Sequence, residues 1–441
     1  MSAYKEFKKV YNKKHIAKHY WLKIFYKNSV GLDRVSNNHF ADNLSTEIEI
    51  IYRKVNKGTY RFTNYKELLI SKGANKNPRI ISIPTIRDQL VLSLCNELLK
   101  KVFCSIEFPL VQEVVDCISK EIVEEKYNAY VKLDISHFYP SIDHFLLNQK
   151  LGKKIRKTEL LNLINGAITT PTMPITGSSK NLKYRERGVP EGVAISNILA
   201  NIYLDDLSKE LTQKFDIAFF RYVDDILILC DYSQAHEIME FLISLLKSKY
   251  KLDANTEKTV CNYLREGVTY LGYEFYNDRI SVCQKAVSRI ENSLDDLFRN
   301  SKKYKSNIHL FIWKLNLKIT GCVFDKKKYG WLFFYSQLTD ISILYHLDWL
   351  IKKLCIRYNI PHSNVKKYVR AYHEIRNNQH ESKYLINADN YDNLDKRRIL
   401  ANIYKVPIDD LKRSEDEIEK RFRRMLFRDL SSLEKDIQNF S

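Results

Sequence analysis

Cysteine spacing, flexible glycine and proline, long apolar runs and repeats are all missing or sparse in this chain. The eight cysteines (Cys95, Cys104, Cys117, Cys230, Cys261, Cys283, Cys322 and Cys355) are scattered, and no CxxC pair occurs. That spacing argues against a zinc ribbon and a redox dithiol, and a reduced cytoplasm is the expected setting. Twelve glycines and nine prolines in 441 residues leave little material for long flexible linkers. No fixed-period repeat or low-complexity block is visible. No apolar run reaches spanning length, and the opening MSAYKEFKKVYNKK lacks a secretory hydrophobic stretch, so no membrane role is expected. His15 and His19 fall at i,i+4 and share a helix face, but nothing near them in the sequence completes a metal shell. No zinc site is expected there.

What the chain does have is positive charge. Lys and Arg total 72 against 53 Asp and Glu, a formal charge of +19. Such an excess speaks to partners rather than to fold. Polyanions come first, because neutralising phosphates releases counterions and gives affinity without sequence preference. Apolar residues make up 44%, enough for large cores, and the length suggests two to four structural units.

Up to about residue 115 the pattern is mixed. A helical opening precedes GLDRVS (31–36) and an amphipathic stretch from about 44 to 57. The segment 68–99 reads as strand, turn at KGANKNP, strand RIISI, then helix from about Thr85. From about 116 to 278 strands and helices alternate. AYVKLDI (129–135) is a short apolar and β-branched run ending in an acid, and 192–211 has helical spacing. FFRYV and ILIL are strand-like halves around the two-residue break Asp224-Asp225, which is hairpin grammar. Residues 234–250 read as helix and VTYLGYEFY (268–276) as a further strand. Beyond about 285 the chain is helical and basic, and the last helix spaces Ile418, Phe422, Met425, Leu426, Leu430, Leu433 and Ile437 along one face.

Two acidic pairs contrast. Asp205-Asp206 ends an amphipathic helix, where both acids are expected to face water. Asp224-Asp225 has strands on both sides, and successive strand side chains point to opposite faces, so a tight turn is the simplest way to bring both acids to one edge. Alone, the pair fits a polar hairpin tip equally well. Asp134, another acid at the end of an apolar strand, shifts that balance. Strands of one sheet would gather these acids around hard cations, and Mg²⁺ takes one or two carboxylates and completes its shell with water and substrate phosphates.

These residues, in this order, resemble a known family. YVDD (222–225) resembles the active-site box of reverse transcriptases, and VKLDISHFYPSI (131–142) the acidic motif that precedes it. RGVPEGVAISNILANIYL (187–204) is similar to the nucleotide-contacting motif, and PRIISIPTIRDQLVL (78–92) to the fingers strand and helix. NTEKTV (255–260) and VTYLGYEF (268–275) fit later palm motifs, and GLDRVS an upstream motif of bacterial members. The resemblance implies an α+β right-hand polymerase with fingers, an antiparallel-sheet palm carrying the YVDD hairpin, and a helical thumb. Expected boundaries are 1–115 for the N-terminal extension and fingers, 116–280 for the palm with interleaved fingers elements, 281–385 for the thumb and 386–441 for a C-terminal helical extension.

By the same resemblance, Asp134, Asp224 and Asp225 are catalytic. With the Ile135 carbonyl they hold Mg²⁺, or Mn²⁺ in its place. Lys72 and Arg79 neutralise the triphosphate. Tyr139 excludes a ribose 2′-hydroxyl, Glu191 and Gly192 belong to the nucleotide-contacting motif, and Lys258 sits near the active site. Glu191 stands where the family usually has Gln. It either points away, pairs with a cation, or accompanies a different nucleotide preference.

The activity implied is RNA-directed DNA polymerase. The partners are an RNA template, a DNA product and dNTPs, with a homo-oligomer or a second defence protein as further candidates. Among bacterial lineages the group II intron and retron-like enzymes are nearest in style. The helical C-terminus matches defence-associated, abortive-infection enzymes, which implies copying of a dedicated non-coding RNA. Protein-primed or untemplated synthesis, and a maturase-like RNA-binding role, are the competing readings. The basic stretch 288–307 and the aromatic YGWLFFY (329–335) are candidates to grip an RNA–DNA duplex, with an ordinary helical thumb as the alternative. HEIRNNQHESKYL (373–385) is expected to be a loop.

Overall fold

Apolar β-branched runs become strands and amphipathic periods become helices in a computed structural model of the chain. It describes all residues except 1, 28, 72, 74–76, 107, 176–183, 305–306, 379–380, 408–413 and 438–441. The residues group into two units. One comprises 1–108 and 131–261, the other 109–130 and 262–441.

In the first unit the helix Ile86–Val102 is the organising element. Thr85 is its N-cap: the hydroxyl accepts from the Asp88 N–H at 3.3 Å and donates to Asp88 Oδ2 at 2.8 Å, satisfying backbone groups that a helix start leaves unpaired. Asp88 itself is buried, and it also accepts from Tyr60 Oη at 2.6 Å and the Thr63 N–H at 3.0 Å. The opening helices Ala3–Val10 and Lys13–His19 pack on this one, and Tyr11 Oη donates to the Val91 carbonyl at 3.0 Å. Gly31 of GLDRVS lies so close to Thr85 that a Cβ would sit 2.6 Å from its Cα. Only glycine permits that approach.

Two sheets complete this unit. Strands β1 (Tyr65–Ile70) and β2 (Arg79–Ile83) are antiparallel, with β4 (Thr172–Met173) parallel on the other side of β1. The second sheet takes the order β5-β6-β3-β7, formed by β3 (Ala129–Asp134), β5 (Ala218–Tyr222), β6 (Asp225–Cys230) and β7 (Val260–Tyr263). Of the three chain crossings between the units, one follows residue 108 and the other two fall inside β3 and β7.

The 192–211 segment breaks into two helices, Ser196–Tyr203 and Leu207–Thr212. Asp205-Asp206 sits at the break, and the expectation of two acids facing water holds only for Asp205. Asp206 accepts from Lys150 at 3.2 Å and lies 3.6 Å from Lys153. Residues 268–276, expected as one strand, form two. These are β8 (Val268–Tyr270) and β9 (Tyr273–Tyr276), paired antiparallel with β10 (Arg279–Val282) beyond. Leu271 and Gly272 both have positive φ, 50° and 81°, the signature of a two-residue primed hairpin turn.

In the second unit the helices Gln284–Arg299, Ile308–Thr320, Ser342–Arg357 and Tyr368–Asn377 are joined by a small sheet of β11 (Cys322–Phe324), β12 (Lys327–Tyr329) and β13 (Ile386–Asn387). The final helix, Glu415–Ile437, buries Ile418, Phe422, Met425, Leu426, Leu430 and Leu433 against Leu317, Phe324, Ile386 and Leu400; of the face that the periodicity predicts, only Ile437 is left half-buried. YGWLFFY does not offer a gripping surface: Trp331, Leu332, Phe333 and Tyr335 are all buried. Their apolar area is worth more inside the unit than against a hydrated phosphate backbone. Solvent-facing aromatics occur instead on Ser342–Arg357, where Tyr345 and Trp349 are 59% and 54% exposed. Of 373–385, expected as a loop, residues 373–377 end the helix Tyr368–Asn377. Among the described residues, no helix is long and apolar enough to cross a membrane.

Candidate active site

The site is built at one end of the second sheet of the first unit. β5 and β6 pair with Tyr222 opposite Asp225, so the loop is Val223-Asp224. The sequence places the break one residue later, at Asp224-Asp225; in the structure Asp225 opens β6. Val223 takes φ 59°, a left-handed conformation that β-branched residues rarely adopt and that costs on the order of 1–3 kcal/mol. Strand pairing on either side holds it there. Asp134 ends β3, and the Ile135 N–H donates to the Asp224 carbonyl at 3.3 Å. The β3 terminus and the hairpin turn are therefore joined by backbone.

The segment after helix Tyr232–Tyr250 closes the other flank. The Asn255 N–H donates to the Asp134 carbonyl at 2.8 Å, and the Ser136 N–H to the Asp253 carbonyl at 2.8 Å. The Asp134 side chain is buried, and its Oδ2 accepts from Asn255 Nδ2 at 3.1 Å and Lys258 Nζ at 3.0 Å. Lys258, singled out from the sequence, thus touches a predicted catalytic acid. Asn255 was missed, although it opens the NTEKTV stretch that carries Lys258. Lys132 was missed too: two residues before Asp134 on β3, it shares that face of the strand and its charge acts on Asp225.

Electrostatics marks the pair out. Burial, and then repulsion from Asp134, pushes Asp224 up to about 6. Burial, followed by Asp224 and Asp134, pushes Asp225 up to about 7. Arg79 and Lys258 act in the opposite direction on Asp224, and Lys132 and Lys258 on Asp225, but they do not cancel the cost of desolvation. Partly buried carboxylates pushed toward neutrality by one another suit bound cations. Their all-oxygen donor set, with the nearby Ile135 carbonyl, fits Mg²⁺ or Mn²⁺ rather than softer metals. The three acids do not yet bring one oxygen each within 4.8 Å of one another, and Lys258 occupies Asp134 Oδ2.

The nucleotide-contacting motif lies beside β2. The Ser82 N–H donates to the Glu191 carbonyl at 2.7 Å. Gly192, at φ 93°, comes so close to β2 that a Cβ would stand 2.5 Å from Ile81 Cγ2. Glu191 pairs with Arg79, Nε to Oε2. Of the arrangements open for this glutamate, pairing with a cation is the one observed, and its partner is the arginine expected to meet the triphosphate. Tyr139 belongs to the short helix Phe138–Ser141, and its carbonyl accepts from the Val189 N–H at 2.8 Å. Its phenol is held well above its ordinary value by burial and then by Asp224, with Arg79, Glu191 and Tyr222 also acting on it. Asp224, Arg79, Glu191 and Tyr139 therefore form one electrostatic neighbourhood. Lys72 lies outside the described residues.

Residues 70–275 match the family Reverse transcriptase (RNA-dependent DNA polymerase). Among curated proteins, the chain is similar to Protein YkfC of Escherichia coli strain K12, 19% identical over 65% of this chain and 85% of that protein. It is also similar to the Group II intron-encoded protein LtrA of Lactococcus lactis, 21% identical over 73% of this chain and 65% of LtrA. The Putative COX1/OXI3 intron 2 protein of Saccharomyces cerevisiae is 20% identical over 65% of this chain and 41% of its own length. The chain therefore spans less than two thirds of both intron proteins. Among solved structures, an apo telomerase from Candida tropicalis aligns over 58% of this chain and 63% of its own, with 15% identity and a TM-score of 0.42. The hairpin, the strand-end acid and the surrounding motifs all lie within the residues that match the reverse transcriptase family, as a right-hand polymerase fold requires. Residues 70–275, which include the three acids, Arg79, Tyr139, Glu191 and Lys258, thus match the reverse transcriptase family, and the chain is similar to group II intron-encoded proteins.

Proposed function

We propose that Asp134, Asp224 and Asp225, with the Ile135 carbonyl, hold two Mg²⁺ ions, or Mn²⁺ in their place, and that this site adds deoxynucleotides to a 3′-hydroxyl. The observation that carries the reading is the pair of desolvated carboxylates at the β5–β6 turn, raised to about 6 and 7 beside Asp134. Once bound, such ions activate the attacking hydroxyl and stabilise the leaving oxygen of an in-line displacement. The chain's own residues position the reactants. Arg79 meets the triphosphate after exchanging Glu191 for phosphate oxygens, since a guanidinium offers several donors in one plane. Tyr139 crowds the sugar and disfavours a 2′-hydroxyl. Lys258, now on Asp134 Oδ2, would have to give up that oxygen to a bound cation and would then supply charge beside the phosphates. Positioning and charge neutralisation are most of what phosphoryl transfer requires.

The template in this reading is RNA, a dedicated non-coding transcript, and the cellular role is antiphage defence. Support comes from the net charge of +19, from the exposed Tyr345 and Trp349 with Lys353 Nζ 5.2 Å from the Trp349 ring centre, and from a helical C-terminal region with a core of its own. Aromatic faces beside cations suit unpaired bases. The test is Mg²⁺-dependent incorporation of labelled dNTPs by protein purified with its bound RNA, beside Asp224→Asn. Incorporation that survives Asp224→Asn sinks the assignment. A wild type without incorporation favours the maturase-like binder. Product sequence unrelated to the bound RNA, or a protein-linked 5′ end, favours untemplated or protein-primed synthesis. Phage plating on cells carrying wild type or Asp224→Asn tests the defence role separately.

A further inference from the structure

The histidine pair near the N-terminus finds a third ligand in space. On the helix Lys13–His19, His15 Nε2 lies 3.1 Å and His19 Nδ1 3.3 Å from the same oxygen, Glu97 Oε2. Glu97 comes from the helix Ile86–Val102, 82 residues beyond His15. Among the described residues this is the only group of three such side chains with ligand atoms all within 4.8 Å of one another. We infer that His15 Nε2, His19 Nδ1 and Glu97 Oε2 form a Zn²⁺ site, distinct from the polymerase acids.

Distances, donors and the surrounding hydrogen bonds all favour it. Zinc bonds of about 2.0–2.2 Å in a tetrahedron leave neighbouring donor atoms roughly 3.3 Å apart. Both nitrogen–oxygen separations already match that edge. The two imidazole rings stand with centroids 6.1 Å apart, and all three ligand atoms lie within 4.8 Å of one another. The other nitrogen of His19, Nε2, lies 2.8 Å from Ser93 Oγ. That contact fixes the ring as outer hydrogen bonds do for zinc-ligating histidines. With Nδ1 on the metal, Nε2–H would donate to Ser93 Oγ, and Nδ1 would share the cation with Glu97 Oε2. The helix passes into a π turn, Tyr20–Ile24, immediately after His19, and such turns gather at functional positions. His19 is 10% exposed at the side chain, while His15 and Glu97 are 31% and 27% exposed. The site is therefore enclosed on one side and open to a water as fourth ligand.

The charged surroundings set the expected strength. Lys101 Nζ is 2.7 Å from Glu97 Oε1, leaving only Oε2 for the metal and opposing the incoming charge. Lys23 and Lys27 also act on His19. On binding, both imidazoles coordinate as neutral rings, their N–H moves to the other ring nitrogen, and any imidazolium proton passes to solvent. Two nitrogen donors select zinc over Mg²⁺, so the site fills independently of the polymerase acids. Bound metal would pin the N-terminal helix to Ile86–Val102.

The test uses the full chain, stripped with chelator, then given one equivalent of Zn²⁺ in excess Mg²⁺ and desalted. Wild type is expected to retain one zinc per chain and the double variant His15→Gln/His19→Gln none. Ser93→Ala is expected to weaken binding about 10- to 100-fold. Co²⁺ in place of zinc should give the strong visible bands of a tetrahedral nitrogen-ligated site. Retention of the same zinc by the double variant, or none by wild type, overturns the assignment. Should the double variant fail to fold, the imidazole nitrogen resonances of His15 and His19 in wild type decide: no shift on adding Zn²⁺ overturns it.

Discussion

Asp224 and Asp225 are titrating groups with an effect on stability of definite sign. Their folded values lie near 6 and 7, above the ordinary aspartate range near 4. Between about pH 4 and 7 the folded, metal-free protein therefore holds protons that the unfolded chain has released. Stability then falls as pH rises through that window, by something on the order of a few kcal/mol. The groups facing the pair are Asp134, Arg79, Lys132 and Lys258. Metal-free protein should melt at progressively lower temperature from pH 4 to 8 in calorimetric scans, and added Mg²⁺ should restore the loss at the upper end. Asp224→Asn should flatten the profile. At Glu191, the pairing with Arg79 would, on the proposed function, compete with phosphate for the same guanidinium. Glu191→Gln removes that competition, and steady-state kinetics should show KM for dNTP falling several-fold with kcat little changed. Unchanged rate and nucleotide preference would leave Glu191 without a special role.

At this scale the sequence showed each acid's own setting but not its partners. Two carboxylates flanked by strand formers fitted a polar hairpin tip as well as a metal-bearing turn, and Asp134 at another strand end tipped the reading toward metal. Arg79 and Glu191 stand 112 residues apart, and Glu97 stands 82 from His15. No local pattern joins either pair, because each pairing is created by packing.

Turns decide the outcome at the level of elements. The helix after Thr85, the strand ending at Asp134 and the last helix were legible, since each combines a clear period with a definite end signal. VTYLGYEFY was misread because apolar and aromatic residues lie on both sides of Leu271-Gly272 and only a single glycine marks the point where a primed turn reverses the chain. The 192–211 helix was overextended because apolar spacing continues across the break at residues 204–206. The loop carrying Glu191 depends on close backbone approach at Gly192, which has both a positive φ and no room for a Cβ against Ile81 and Ser82. Gly192→Ala should push this loop off β2. We expect a loss of roughly 1–3 kcal/mol by urea unfolding, from strain and displaced packing, and a rise in KM for dNTP larger than any fall in kcat.

Over the whole molecule, composition pointed to a polyanion partner but not to where it would bind, because +19 has no position until the chain folds. The aromatics offered for that role by sequence, YGWLFFY, went into the core, while Tyr345 and Trp349 stayed outside. Stability of the second unit rests on the final helix, whose Phe422 is buried among residues from 317 to 433. Phe422→Ala should cost about 3–5 kcal/mol, seen as an earlier denaturant midpoint for probes in that unit. The chain's three passages between the units have a further outcome during translation. β3 lies between β6 and β7, and both emerge from the ribosome long after it. Its edges, and the first unit as a whole, stay unsealed until residues near 260 have been synthesised. Such late, long-range closure slows folding and leaves apolar strand edges exposed to aggregation meanwhile. Cutting the gene at residue 108 or 130 would therefore yield no independently folding half.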